Sequence, residues 1–309
     1  MISRRQWILG AASAAVAHSA PRRPPGTLIE THVHLFADDP ARFPYSPLSY
    51  KPKPNRVEDY VKFAMEVKLN HALAVHPEPY QDDHRSLEYA FTKEPFKGFF
   101  KGTCLFDPTD PATPNRIREL VRRNPGRIVA LRIHEMHAAG TPSTTSGAIR
   151  DRDLKNPQVR KTLQTMHELG LALQVQCIPY YAPQIAEIGR EFREMPIILD
   201  HLARPGQGTP AEYQQVLRLA DLHHVFMKFS RTGVETASKQ PFPHADAKPL
   251  VQRVYSAYGA DHIIWGELGN NATEFAQAVQ LFDTMFDSAP ESDRAKMRGL
   301  TAKTLFAFA

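Results

Sequence analysis

Leu28-Ile29-Glu30-Thr31-His32-Val33-His34-Leu35-Phe36 is the first of eight short apolar runs, and it sets the pattern that the rest of the chain repeats. A period of two places Glu30, His32 and His34 on one face of a strand. Seven more runs of this length start at His71, Phe99, Ile128, Leu171, Pro196, His224 and His262. Stretches of helical period separate them, at 56–68, 82–94, 113–124, 157–170, 182–194, 209–222 and 247–259. Two more, 273–287 and 291–308, follow the last run. Thr209-Pro210 and Asn270-Asn271 offer helix starts, and Gly170 and Gly259 offer helix ends. Eight strand–helix units predict an α/β chain folded as one (β/α)8 TIM barrel over residues 28–309. The alternative, a doubly wound open sheet, calls for a Gly-rich turn after the first strand. Here a long Pro-rich loop, 37–55, follows instead.

The 309 residues are 42% hydrophobic and 23% charged, an ordinary globular balance. No apolar run approaches the roughly 18–20 residues of a membrane span. The formal charge is +5, with Arg4, Arg5, Arg22 and Arg23 near the start. No basic cluster on a folded face points to nucleic acid. The two cysteines, Cys104 and Cys177, fall in separate runs and read as buried thiols, not a bridge.

Residues 1–20 read as an address. Arg4-Arg5, then Trp7 and Leu9, then an Ala-rich segment resemble a bacterial twin-arginine signal, with Ala15-Val16-Ala17 as the cleavage site. The expectation is export by the twin-arginine machinery to the periplasm or the extracellular space, with 21–27 as a linker.

Polar residues collect at strand ends, where a barrel keeps its active site. Alternation groups Ala130, Arg132 and His134 on one face, Gln174 and Gln176 on another, Ile197, Leu199 and His201 on a third, and Lys228 and Ser230 on a fourth. So many polar groups are costly in an apolar core and predict a polar cavity at one mouth. His32 and His34 point the same way and can hold one substrate oxygen or one metal, with His201 facing them. Arg132 and Lys228 suit an anionic substrate group. His76 and Tyr80, with Glu78 and Asp83, follow the second run. His134, Glu135 and His137 close the fourth, and these loops are expected near the mouth.

Several of these pieces are similar to the amidohydrolase superfamily, in its amidohydrolase-related branch, and most to 2-pyrone-4,6-dicarboxylate lactonase-like proteins. They are Glu30-Thr31-His32-Val33-His34, Tyr80-Gln81-Asp82-Asp83, Leu131-Arg132-Ile133, Leu199-Asp200-His201, Met227-Lys228-Phe229-Ser230, Trp265-Gly266 and Ala302-Lys303-Thr304-Leu305-Phe306. The resemblance implies a TIM-barrel hydrolase that opens a lactone or similar cyclic ester bearing a carboxylate. It implies that His32, His34 and His201 polarise the carbonyl without a metal. Arg132, His134, Lys228, Ser230, Tyr80 and His76 become candidate substrate contacts.

Two departures matter. Gln176 stands where metal-dependent members close the fifth strand with His, which fits a chain needing no cofactor. In the eighth run the family's Trp-Gly-x-Asp reads Trp265-Gly266-Glu267-Leu268, so the water-activating Asp is replaced by Leu268. Glu267 is the first candidate base, provided the strand bulges or ends there, with Glu135, Asp107, Glu30 and His134 as others. Two alternatives stay open. One is a metal-dependent hydrolase or decarboxylase holding zinc with His32, His34 and His201. The other is a non-catalytic exported barrel that binds a small anion.

Overall fold

A computed structural model describes residues 23–138, 154–233 and 236–309. The proposed signal, 1–20, lies outside the described residues. Of the proposed linker, the part from Arg23 is fastened to the body: the Arg23 guanidinium donates to the carbonyls of Lys68 and Gly26 and to the Asn70 side chain.

Eight parallel strands appear in chain order: β1 (Ile29–Val33), β2 (His71–Val75), β3 (Phe100–Leu105), β4 (Ile128–Glu135), β5 (Ala172–Cys177), β6 (Ile197–Leu199), β7 (Val225–Phe229) and β8 (Ile263–Trp265). Helices α1 (Val57–Glu66), α2 (Arg85–Thr92), α3 (Thr113–Arg123), α4 (Pro157–Glu168), α5 (Ala182–Glu191), α6 (Pro210–Arg218) and α7 (Lys248–Tyr258) connect them, and α8 (Ala272–Met285) follows β8. This is the TIM-barrel order read from the sequence. Thr209 and Glu212 form a reciprocal cap on α6, and the Asn271 side chain caps α8. Two expected helices are shorter. The segment predicted at 82–94 becomes helical only at Arg85, after a 3₁₀ turn at Glu78–Tyr80. The last, predicted as continuous over 291–308, is α9 (Glu291–Ala295) and α10 (Thr301–Leu305), separated by a π-turn at Lys296–Leu300. The backbone at Gly299 passes so close to the Thr27 carbonyl that a Cβ there would lie 2.6 Å from it.

Apolar side chains divide between two layers. Ile29, Leu73, Val75, Ala130, Ala172, Ile198 and Ile264 fill the barrel interior, joined by Ala302 and Phe306 from the chain's end. Their neighbours in sequence, such as Leu131, Ile133, Ile197, Leu199, Met227 and Trp265, pack outward with the helices. Cys104 and Cys177 are buried free thiols, as read. Seven parallel ladders run from β1 to β8. At the seam between β1 and β8, side chains make the connection: Thr31 Oγ1 donates to the Trp265 carbonyl at 2.8 Å, and Glu30 accepts amides from beyond β8. No helix among the described residues is long and apolar enough to cross a membrane.

Candidate active site

Three breaks in strand alternation assemble the site at the C-terminal ends of the strands. In β1, Ile29 faces the interior but Val33 packs outward, so the phase changes between them, where the β1–β2 register shifts. That shift brings His32 and His34 inward. In β6 the expected inward set of Ile197, Leu199 and His201 is wrong. Ile198 faces inward and Ile197 and Leu199 face the helices. His201 still enters the barrel because the chain turns left-handed after Leu199. His201, Leu202, Ala203 and Arg204 have φ of 55°, 57°, 53° and 48°. For L-residues this conformation costs about 1–2 kcal/mol each. The same geometry leaves Asp200, in phase with Ile198, at the centre of the site. In the eighth run the strand ends at Trp265 and Glu267 has φ 61°. This sends Leu268 into the outer core and turns Glu267 toward the mouth.

Asp200 is fully buried and organises what surrounds it. One oxygen accepts from Arg132 Nε at 2.8 Å and the other from Lys228 Nζ at 3.1 Å, while Gln174 donates to both. Two cations face one carboxylate and hold its pKa well below the usual range against the desolvation that would raise it. Burial pushes the Lys228 ammonium down, and Asp200 opposes the shift. Arg132 also donates to Gln176 Oε1. Gln176, the departure in the fifth strand, thus serves as an acceptor for Arg132.

A directional hydrogen-bond chain leaves this centre. His34 Nδ1 lies 2.8 Å from the Val75 carbonyl, so it carries the proton and its Nε2 presents a lone pair. His32 Nε2, 3.3 Å away, is then the donor, and His32 Nδ1 accepts from Lys228 at 3.3 Å. The chain runs Lys228 to His32 to His34 to the Val75 carbonyl, with both imidazoles neutral. Burial favours this state, holding His34 down at about 3 and His32 well below its ordinary value. His201 packs against His32 with ring centres 4.6 Å apart, and its Nδ1 is 2.8 Å from Ser230 Oγ. Burial keeps it neutral too.

A cavity of about 700 Å³ opens above these groups, lined among others by His32, His34, Ser230, Arg231, Glu267 and Lys53. Glu267 accepts from the Arg231 backbone amide at 2.9 Å and from Arg231 Nε at 3.0 Å. Desolvation raises its carboxyl and Arg231 opposes that. The structure therefore brings together His32, His34, Ser230 and Glu267 as read. Arg132, Lys228 and His201 belong to the layer behind, and the charges of Arg132 and Lys228 are directed at Asp200. His134 is buried and, like Arg132 and Lys228, is not among the cavity-lining residues. His76 and Tyr80 are also buried and are not among the residues lining this cavity. His76 stacks on His84 with ring centres 4.4 Å apart, and Tyr80 hydroxyl accepts the Ala37 amide. Asp200 and Arg231 were missed. Asp200 stood beside His201 in a quoted motif, but strict alternation put it on the opposite face. Arg231 carries no motif signal.

The zinc alternative named His32, His34 and His201. The donors that lie within 4.8 Å of one another are instead His32, Asp200 and His201. They do not suit a dication: the Lys228 ammonium takes the His32 Nδ1 lone pair, and both Asp200 oxygens already face cations.

A sequence model of the amidohydrolase family matches residues 29–308. The chain is 24% identical over 247 residues to 4-sulfomuconolactone hydrolase from Hydrogenophaga intermedia, spanning 79% of this chain and 74% of that protein. Among solved structures it is similar to a probable 2-pyrone-4,6-dicarboxylic acid hydrolase from Acinetobacter baumannii with citric acid bound. The TM-score is 0.72 at 19% identity, over 91% of this chain and all of that one. An amidohydrolase from Burkholderia multivorans with bound zinc has a TM-score of 0.68 at 15% identity, over 92% of this chain and all of that one.

Proposed function

The chain belongs to the amidohydrolase family, and we propose that within it this protein is a hydrolase that opens an acidic lactone without a metal. The observation that carries the reading is one cavity onto which two neutral imidazoles, a carboxylate and two cationic side chains open together. In this reading the lactone carbonyl oxygen rests against His32 and His34. His32 Nε2–H, now given to His34, turns to that oxygen, and His201 behind it keeps the ring in place. Lys228 and Arg132 leave one positive charge in excess over Asp200, which favours the oxyanion as it forms. Glu267 takes a proton from water as the water attacks the carbonyl carbon. The ring C–O bond then breaks, and the new alcohol takes up that proton. Arg231 and Lys53 hold the acidic group of the substrate. The relatives support this choice: one is named for a sulfonated lactone, and another holds citric acid, a polycarboxylate.

A second reading, zinc-assisted hydrolysis, is favoured by the convergence of His32, Asp200 and His201 and by the zinc-bound relative. Turnover of a panel of carboxylated and sulfonated lactones, wild type beside Glu267→Gln, tests the first reading. Loss of the base is expected to lower kcat by about 100-fold or more. An undiminished kcat removes Glu267 from that role. The Arg4-Arg5 leader remains our proposed twin-arginine export address, tested by cell fractionation and N-terminal sequencing of the product.

A further inference from the structure

Glu30 lies two residues before His32 and is 1% exposed. Its Oε1 accepts the backbone amides of His32 at 2.5 Å and Glu267 at 2.8 Å, and its Oε2 accepts the amide of Leu268 at 2.5 Å. These three donors come from the two edges that meet at the barrel seam. One of them belongs to the residue whose left-handed backbone aims the Glu267 side chain at the cavity. The edges touch here: a Cβ on Gly266 would lie 2.8 Å from His32 Cβ.

We propose that Glu30 is a positioning residue whose carboxylate holds Glu267 in its left-handed conformation and ties it to His32. One buried group then sets the spacing between the base and the imidazole that polarises the carbonyl. The inference rests on the reading of Glu267 as base. It also accounts for the departure in the eighth strand. With Leu268 in the outer core, the eighth run brings its carboxylate to the cavity from position 267, through a left-handed backbone turn whose amides Glu30 accepts. A carboxylate suits the task because its two oxygens together accept three amides. An amide side chain of the same shape offers one accepting oxygen and sets an NH2 against a backbone N–H. Aspartate falls about 1.5 Å short.

The test uses the full chain as wild type, Glu30→Gln and Glu267→Gln, read by amide hydrogen exchange across residues 263–270 and by steady-state kinetics on an acidic lactone. Glu30→Gln is expected to speed exchange at Glu267 and Leu268 and to lower kcat by about 100-fold while KM changes far less. If it does not fold, Glu30→Asp carries the same readouts. Unchanged local exchange with unchanged kcat overturns the proposal, as does a lower melting temperature with both readouts intact. If Glu267→Gln turns over fully while Glu30→Gln shows faster exchange and a low kcat, the base assignment alone falls. The positioning role then stands through His32.

Discussion

Asp200 shows what a single residue does at this site. It contacts both Lys228 and Arg132, and all three side chains are buried. Removing one partner from such a group leaves charge without compensation, which costs about 3–5 kcal/mol. Asp200→Asn is therefore expected to lose stability of that order in a denaturant titration. A loss below about 1 kcal/mol would mean that the two cations are compensated elsewhere. The carboxylates of Asp200 and Glu267 divide the work by environment. Asp200 stays ionised between two cations, while Glu267 is desolvated at the cavity edge and raised toward the range of a base.

At the scale of elements, the site exists because three strand ends depart from regular alternation. The turn at 201–204 places four consecutive non-glycine residues in the left-handed region. In a right-handed helix, Ala→Gly costs about 1 kcal/mol. At Ala203 the same change relieves the backbone, so Ala203→Gly is expected to leave stability unchanged or higher despite the lost methyl. A loss above about 1 kcal/mol in an unfolding titration would argue against strain there. These departures also mark where the sequence stops being readable. The eight runs, their order, the inward faces of β4, β5 and β7, and the His32–His34 pair follow from period and composition, because those strands are regular. The exchange of Asp200 for Leu199 on the inner face does not, since phase in a three-residue strand is set by the turn that follows it. Glu267 was readable only as a condition, that the strand should bulge or end there, and β8 ends at Trp265. His76 and Tyr80 looked like rim residues because they follow a strand. Both are buried, Tyr80 within the 3₁₀ turn at Glu78–Tyr80 and His76 just before it.

For the whole molecule, the buried histidines dominate the response to acid. Burial lowers His34 to about 3 and His76 to about 4, and holds His32, His84 and His201 well below 6.5. Each binds its proton more readily when unfolded. The stability it contributes is therefore complete above its unfolded pKa near 6.5 and is lost as pH falls toward the folded value. Glu30, raised by burial to about 7, works in the opposite sense: its contribution is full below about 4.5 and fades as pH rises through 7. Five imidazoles outweigh the two raised carboxylates, Glu30 and Glu267. Unfolding free energy is expected to fall by several kcal/mol between pH 6.5 and about pH 5. A stability that is flat or rising toward acid over that window would show that these rings are not buried neutral.

We propose lactone opening by groups of this chain alone, with the Lys228 ammonium at the position a metal would compete for. The most direct test is turnover of an acidic lactone before and after exhaustive chelation, with metal content measured on the same samples. The expected result is an unchanged rate at far less than one metal per chain, with no gain on adding zinc. A rate that collapses on chelation and returns with zinc would contradict it and transfer the chemistry to His32, Asp200 and His201 as ligands.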